Sequence, residues 1–253
     1  MTLAAQQWHR RYQQQARWTH DLRAYLFPRA GLQTARRVLE VGCGSGVLLA
    51  EIQQTDLHCH GVDLEQAILH IAQQYAPQAT LLQANGFSLP YQDACFDLVF
   101  CHFLLLWVHQ PEAILREMCR VTRPEGTILA LAEPDYGGRI DFPTELAAIG
   151  QLQAQALFAQ GADPQMGRKL SALFHQAGLA DVEVGVLGGQ WKEDPDWQAW
   201  ELEWQVLVND LRGLGVRDQG QIQKLRELDR RAWKQGERVL YVPTFYAWGR
   251  IPR

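Results

Sequence analysis

Residues 38–46 read Val38-Leu39-Glu40-Val41-Gly42-Cys43-Gly44-Ser45-Gly46, an apolar run feeding three glycines at alternate positions. A short β-branched run bounded by such a turn is a buried strand. Glycines there let the backbone bend tightly and let a ligand come close to it. The next residues, Val47 to Gln54, carry helical spacing, so the stretch is a strand–turn–helix unit. The alternation then repeats. His60-Gly61-Val62-Asp63 reads as a strand and Glu65 to Tyr75 as a helix stopped by Pro77. Thr80 to Ala84 and Phe96 to Cys101 read as strands, and Pro111 to Val121 as a helix with Pro124-Glu125-Gly126 as its exit turn. Thr127 to Ala132 is a fifth strand.

Strands alternating with helices call for a parallel sheet covered on both faces. With Asp181 to Leu187 and Val239 to Trp248 as further strands, the expected fold is α/β. It is a Rossmann-like, seven-stranded, mostly parallel sheet with helices on both faces and a small helical cap. Residues 1–34 read as one or two helices before the main fold, with aromatic spacing Trp8-Tyr12 and Trp18-Leu22-Tyr25-Leu26. The expected organisation is a helical segment over 1–34, a core over 35–187, a helical insertion over 188–237 and the last core strand over 238–253. The insertion holds five of the nine tryptophans, Trp191, Trp197, Trp200, Trp204 and Trp233. Trp197, Trp200 and Trp204 share one helix face, which fits an aromatic lid or a docking surface for the insertion.

The glycine turn alone fits several nucleoside ligands. Asp63 lies at the end of the next strand, where a carboxylate can accept both hydroxyls of a ribose. Two details argue against a dinucleotide. The fingerprint G-x-G-x-x-G from Gly42 needs glycine at position 47, which is Val47. Glu40 also precedes the turn, where it would repel a pyrophosphate but suits a cation. S-adenosylmethionine is cationic and has no phosphate.

At this point the chain resembles the class I S-adenosylmethionine-dependent methyltransferases. The likeness continues through Gly61-Val62-Asp63-Leu64, Asn85-Gly86-Phe87-Ser88-Leu89-Pro90, Phe96-Asp97-Leu98-Val99 and Leu115 to Thr127. It covers residues 36–135 strongly and the last two strands weakly. Within the class, the helical N-terminus and the insertion resemble the small-molecule branch that includes the ubiquinone and menaquinone C-methyltransferases. The resemblance implies cofactor contacts from Glu40, Gly42, Cys43, Gly44, Asp63, Leu64, Asn85, Gly86 and Cys101. Asn85 stands where an acidic residue usually meets the adenine, and Glu125 stands where a glycine usually does. Tyr12 is the implied aromatic that closes over the methionine end, where a cation–π contact is reasonable.

Methyl transfer asks the protein mainly to align a nucleophile and exclude water. A base is needed only where the acceptor must lose a proton. The strand-end loops place His102, Glu133, Asp135 and Tyr136 near the site, and His102 and Asp135 are the expected acceptor contacts. Cys101 lacks the preceding proline of cytosine-C5 enzymes, and Cys101-His102-Phe103 is not the Asn/Asp-Pro-Pro-Tyr/Phe motif of amino-methylating enzymes.

The net charge of −4 gives no electrostatic footprint for nucleic acid. Five cysteines without a CxxC pair point away from disulfides and metal, and toward a reducing cytoplasm. No signal peptide or membrane span is legible. A small, partly hydrophobic acceptor is therefore expected. An RNA or protein methyltransferase, or an inactive S-adenosylmethionine-binding protein, stays open. The acceptor, the accepting atom and the oligomeric state are not legible.

Overall fold

The computed structural model describes residues 5–53, 56–186, 195–215 and 218–253. Seven strands form one sheet: β1 (Arg37–Val41), β2 (His58–Asp63), β3 (Thr80–Gln83), β4 (Phe96–Cys101), β5 (Thr122–Pro134), β7 (Ala180–Val186) and β9 (Thr244–Arg250). Their spatial order is β3-β2-β1-β4-β5-β9-β7, with β9 antiparallel to both neighbours and the other pairs parallel. The α/β, mostly parallel sheet expected from the sequence is therefore the observed one.

Both faces of the sheet are buried, as a parallel sheet requires. Leu39, Val41, Val99, Cys101, Ile128 and Ala130 point to one face and meet α5 (Pro111–Val121) and α7 (Leu170–Gln176) through Leu115, Met118, Leu170 and Phe174. Val38, Leu98, Phe100, Leu129 and Leu131 point to the other face. There they meet Leu26 and Phe27 of α2 (His20–Arg29), Leu48 and Leu49 of α3 (Val47–Ile52), and Leu69 of α4 (Gln66–Tyr75). Side chains alternate along a strand, so Glu40 shares the second face with Val38 and lies under α2 and α3.

The first helix, α1 (Ala5–Trp18), departs from its aromatic pattern. Its buried residues are His9, Arg11, Gln14 and Ala16, while Trp18 is 52% exposed. Three polar side chains are buried because each has a partner on another element or on the helix itself.

Two strand expectations need correction. The run 239–248 is not one strand. It divides into β8 (Val239–Tyr241) and β9 around Val242-Pro243. Pro243 has no N–H to extend a ladder, and its carbonyl accepts the Asp135 amide at 2.8 Å instead. β8 pairs antiparallel with β6 (Ile140–Phe142) as a separate ribbon. Strand β5 is also longer than Thr127–Ala132. It begins at Thr122 and passes Glu125, which adopts a left-handed φ of 64°.

The cap consists of α6 (Ala147–Ala159), α8 (Trp197–Gly213), α9 (Gln219–Lys234) and the β6–β8 ribbon. A buried ionic network ties these together. Asp229 of α9 accepts from the indole N–H of Trp200 at 2.6 Å and of Trp204 at 2.9 Å, and from Arg238 Nε at 2.6 Å. Arg238 also donates to Asp141 at 2.7 Å, and Arg139 grips the same carboxylate at 2.7 and 3.0 Å. The indole N–H groups of Trp200 and Trp204 therefore tie α8 to α9 within the insertion, while the Trp204 ring packs with Leu146 and Ile149. Trp191 lies outside the described residues.

Candidate active site

The carboxyl ends of β1, β2 and β4 meet at the glycine turn. Gly42 and Gly44 have φ of +72° and +50°, where an L side chain is strained. Space forbids one too, because a Cβ on Gly44 would sit 2.9 Å from the Tyr12 ring and one on Gly42 2.8 Å from Leu104. The amides of Gly42 and Cys43 both donate to Val62 carbonyl, at 2.8 and 3.0 Å, which binds the turn to β2.

Asp63 closes β2. Its Oδ2 accepts the Gly44 amide at 2.8 Å and its Oδ1 the Glu65 amide at 3.0 Å. Each oxygen keeps a lone pair for a further donor. Leu64 beside it is 60% exposed, an apolar surface free to meet a flat ring. Asn85 stands on the neighbouring strand end, where its Oδ1 accepts the Phe87 amide at 3.0 Å in an Asx turn. Gly86 follows with Ile114 and Val41 packed beneath it.

Glu40 is the electrostatic centre of this group. Only 3% of it is exposed, and its Oε2 is buried with no hydrogen-bond partner. Burial first, and the Asp63 charge second, push its carboxyl well above the usual range, while Arg23 pulls the other way. Unpaired buried carboxylates are costly, so this site favours a cation. Tyr12 lies against the turn, and burial first, then the charge of Asp63, pushes its phenol up to about 12. Burial also holds the Cys43 and Cys101 thiols well above their ordinary range, so neither is a thiolate nucleophile. Cys101 is fully buried at the end of β4.

The two expected acceptor contacts differ. His102 sits just past β4, and its Nε2 is 3.0 Å from Thr19 Oγ1. Burial, and then the Arg23 charge, push its imidazole down to about 3, so the ring is neutral. Asp135 has partners of its own. It is 3% exposed, and its Oδ1 accepts from Gly137 N at 2.9 Å and Arg168 Nη2 at 2.8 Å, while its Oδ2 accepts from Arg168 Nε. Those bonds shape the loop after β5 and hold the carboxylate against Arg168.

Glu133 likewise has partners of its own. Fully buried, it accepts from the amides of Leu104, Leu105 and Leu106 at 3.0, 2.8 and 3.1 Å, and so builds the loop after β4. Burial outweighs those three bonds and raises its carboxyl to about 7. The folded state then keeps a proton that the unfolded chain releases near 4.5. Stability from this group is full below about pH 4.5 and is lost as pH rises to about 7, by about 3 kcal/mol in all. Urea melts between pH 4.5 and 8 should show that slope in the native chain and a flatter one in Glu133→Gln. Equal slopes would remove Glu133 as its source.

Other residues of the site left no local signal in the sequence. His9 Nδ1 lies 2.7 Å from Ser45 Oγ, which pins α1 to the glycine turn. Arg23, 2% exposed, donates to Glu51 at 3.1 and 2.5 Å and to Ala16 carbonyl at 2.6 Å. These partners lie 36, 28 and 7 residues apart, so only folding reveals them. Among the described residues no cluster of His, Cys, Asp and Glu could hold a metal ion. No described helix is long and apolar enough to cross a membrane.

Residues 39–130 match the methyltransferase domain family. An O-methyltransferase of Aspergillus nomiae is 32% identical over 155 residues, covering 58% of this chain and 66% of its own length. The demethylmenaquinone methyltransferase of Bacillus licheniformis is 30% identical over 164 residues, covering 57% of this chain and 71% of its own. The solved YcgJ protein of Bacillus subtilis shares the fold, with a TM-score of 0.59 at 17% identity over 92% of this chain and 99% of that one. With the sheet order, the glycine turn and Asp63 in place, these likenesses show that the chain belongs to the class I S-adenosylmethionine-dependent methyltransferases.

Proposed function

We propose that this chain binds S-adenosylmethionine at the glycine turn and passes its methyl group to a small, partly hydrophobic acceptor. The observation that carries the reading is the buried, unpartnered Glu40 oxygen beside a turn too tight for side chains. A cationic, phosphate-free nucleoside fits that pairing. Asp63 would accept the ribose hydroxyls, Leu64 and Asn85-Gly86 would border the adenine, and Tyr12 would cover the methionine end. The backbone of Gly42, Cys43, Gly44 and Cys101 would line its path. S-adenosylmethionine, when bound, supplies an activated methyl group and a thioether leaving group.

The acceptor contact is assigned to His102 alone, since Asp135 is engaged by Arg168. A neutral imidazole can accept a hydrogen bond from an acceptor O–H or N–H and so aim the reacting atom. A cap folded over the carboxyl edge of the sheet would exclude water and favour a small molecule over a polymer. The net charge of −4 supports the same choice. The five free thiols support a cytoplasmic setting.

Parallel calorimetric titrations with S-adenosylmethionine, S-adenosylhomocysteine and NAD test the reading. Micromolar binding of the first two without NAD supports it, and binding of NAD alone overturns it. The Glu40 carboxyl adds a sharper sign. A bound cation should favour the ionised carboxyl over the protonated one that burial favours, so binding should be accompanied by proton release and tighten as pH rises. Titration in buffers of different ionisation enthalpy reads this directly. Glu40→Gln should abolish the release and weaken binding about tenfold.

A further inference from the structure

We propose that Thr19, held by Arg23, is a positioning residue that fixes His102 as the Nε2–H tautomer and turns its Nδ1 lone pair toward the acceptor. The inference rests on the methyl-transfer reading above and adds the class of acceptor. Thr19 sits between α1 and α2, outside the glycine turn and the strand ends, and is 3% exposed.

Its hydroxyl has one proton and two lone pairs to place. Arg23 Nη1, 2.7 Å away, can only donate, so it takes one lone pair. The Gln15 and Ala16 carbonyls, 3.2 and 3.4 Å away, can only accept, so the proton goes to them in the usual helix back-bond. The position left for His102 Nε2, at 3.0 Å, is the second lone pair. Nε2 therefore donates and carries the ring proton. The opposite tautomer would spend the hydroxyl proton on Nε2 and leave a buried lone pair unused.

Arg23 makes this arrangement rigid. Its guanidinium is clamped by both Glu51 oxygens, by Ala16 carbonyl and by Thr19 itself. Being a fixed cation beside the ring, it also opposes formation of an imidazolium, in keeping with the lowered His102 basicity. His102 is then a hydrogen-bond acceptor that aims the reacting atom: as the S–CH3 bond breaks and the new bond to oxygen or nitrogen forms, the proton that atom loses goes on to solvent rather than resting on the ring. The acceptor class that fits carries an O–H or N–H donor at or beside the reacting atom. A thioether or a fully substituted amine, with no such proton, does not fit. No relay through Asp135 is needed, because Asp135 is bound elsewhere.

The decisive measurement is the ¹⁵N spectrum of the full chain labelled in histidine, with His102→Gln assigning the signal. The expected result is a protonated Nε2 and a lone-pair-bearing Nδ1 in the native protein. Thr19→Val should mix the two tautomers, and Thr19→Ser should restore one. A native ring protonated at Nδ1 overturns the inference, as does a Thr19→Val spectrum identical to the native one. The native spectrum decides the tautomer even if Thr19→Val fails to fold. With an acceptor in hand, Thr19→Val should lower kcat about tenfold at unchanged KM for S-adenosylmethionine, and Thr19→Ser should recover it. If the tautomer is as stated but S-adenosylmethionine does not bind, the methyl-transfer reading fails while the assignment of Thr19 stands.

Discussion

Asp229→Ala should lower the stability of this protein by about 3–5 kcal/mol, among the largest effects expected of any single change in it. Asp229 lies 5% exposed between α8 and α9, and three donors converge on its two oxygens. Removing it strands the Trp200 and Trp204 indole N–H groups and leaves the Arg238 guanidinium, almost wholly buried, with only part of its compensation. A broken buried ion pair costs far more than the intact pair contributes, because the remaining charge cannot reach water. Asp229→Asn should cost less, since its carbonyl still accepts while its amide meets donors. Urea titration followed by tryptophan fluorescence reads both variants, since Trp200 and Trp204 report on the site itself. Loss below 1 kcal/mol in Asp229→Ala would mean that water reaches Arg238 and that the cap is not held by this network.

Asp63→Ala should weaken S-adenosylmethionine binding about 100-fold, on the order of 2.7 kcal/mol. The carboxylate already accepts the Gly44 and Glu65 amides, so it shapes the glycine turn as well as offering acceptors to the ribose. The alanine variant loses both roles. Asp63→Asn keeps one acceptor oxygen and should lose about tenfold. Calorimetry with S-adenosylhomocysteine separates affinity from turnover. Unchanged affinity in Asp63→Ala would place the ribose elsewhere and withdraw the glycine turn as the cofactor site.

Legibility in the sequence follows the range of the interaction concerned. The strand–turn–helix unit at residues 38–52 was legible because glycine spacing and hydrophobic period are local. The same holds for Asp63, whose place at a strand end follows from the alternation alone. The division of 239–248 into two strands was missed, although Pro243 marks it, because the apolar residues on either side read as one run. The buried face of α1 was not legible, for a deeper reason. Apolar periodicity locates a buried face only where burial is apolar, and here His9, Arg11 and Gln14 are buried through distant partners.

The acid–aromatic segment Glu133 to Tyr136 shows the same limit at the site. Residue type placed two carboxylates near an acceptor. Packing instead gave Glu133 three backbone amides and gave Asp135 an arginine 33 residues away. Sequence by itself determined the α/β alternation, the glycine turn and the family, because each depends on neighbours along the chain. Tertiary structure alone decided which polar groups are spent on holding the fold and which are left for chemistry. Hydrogen-bond partners of a buried group are chosen by proximity in space, and that choice leaves Glu40 unpaired and His102 held by Thr19.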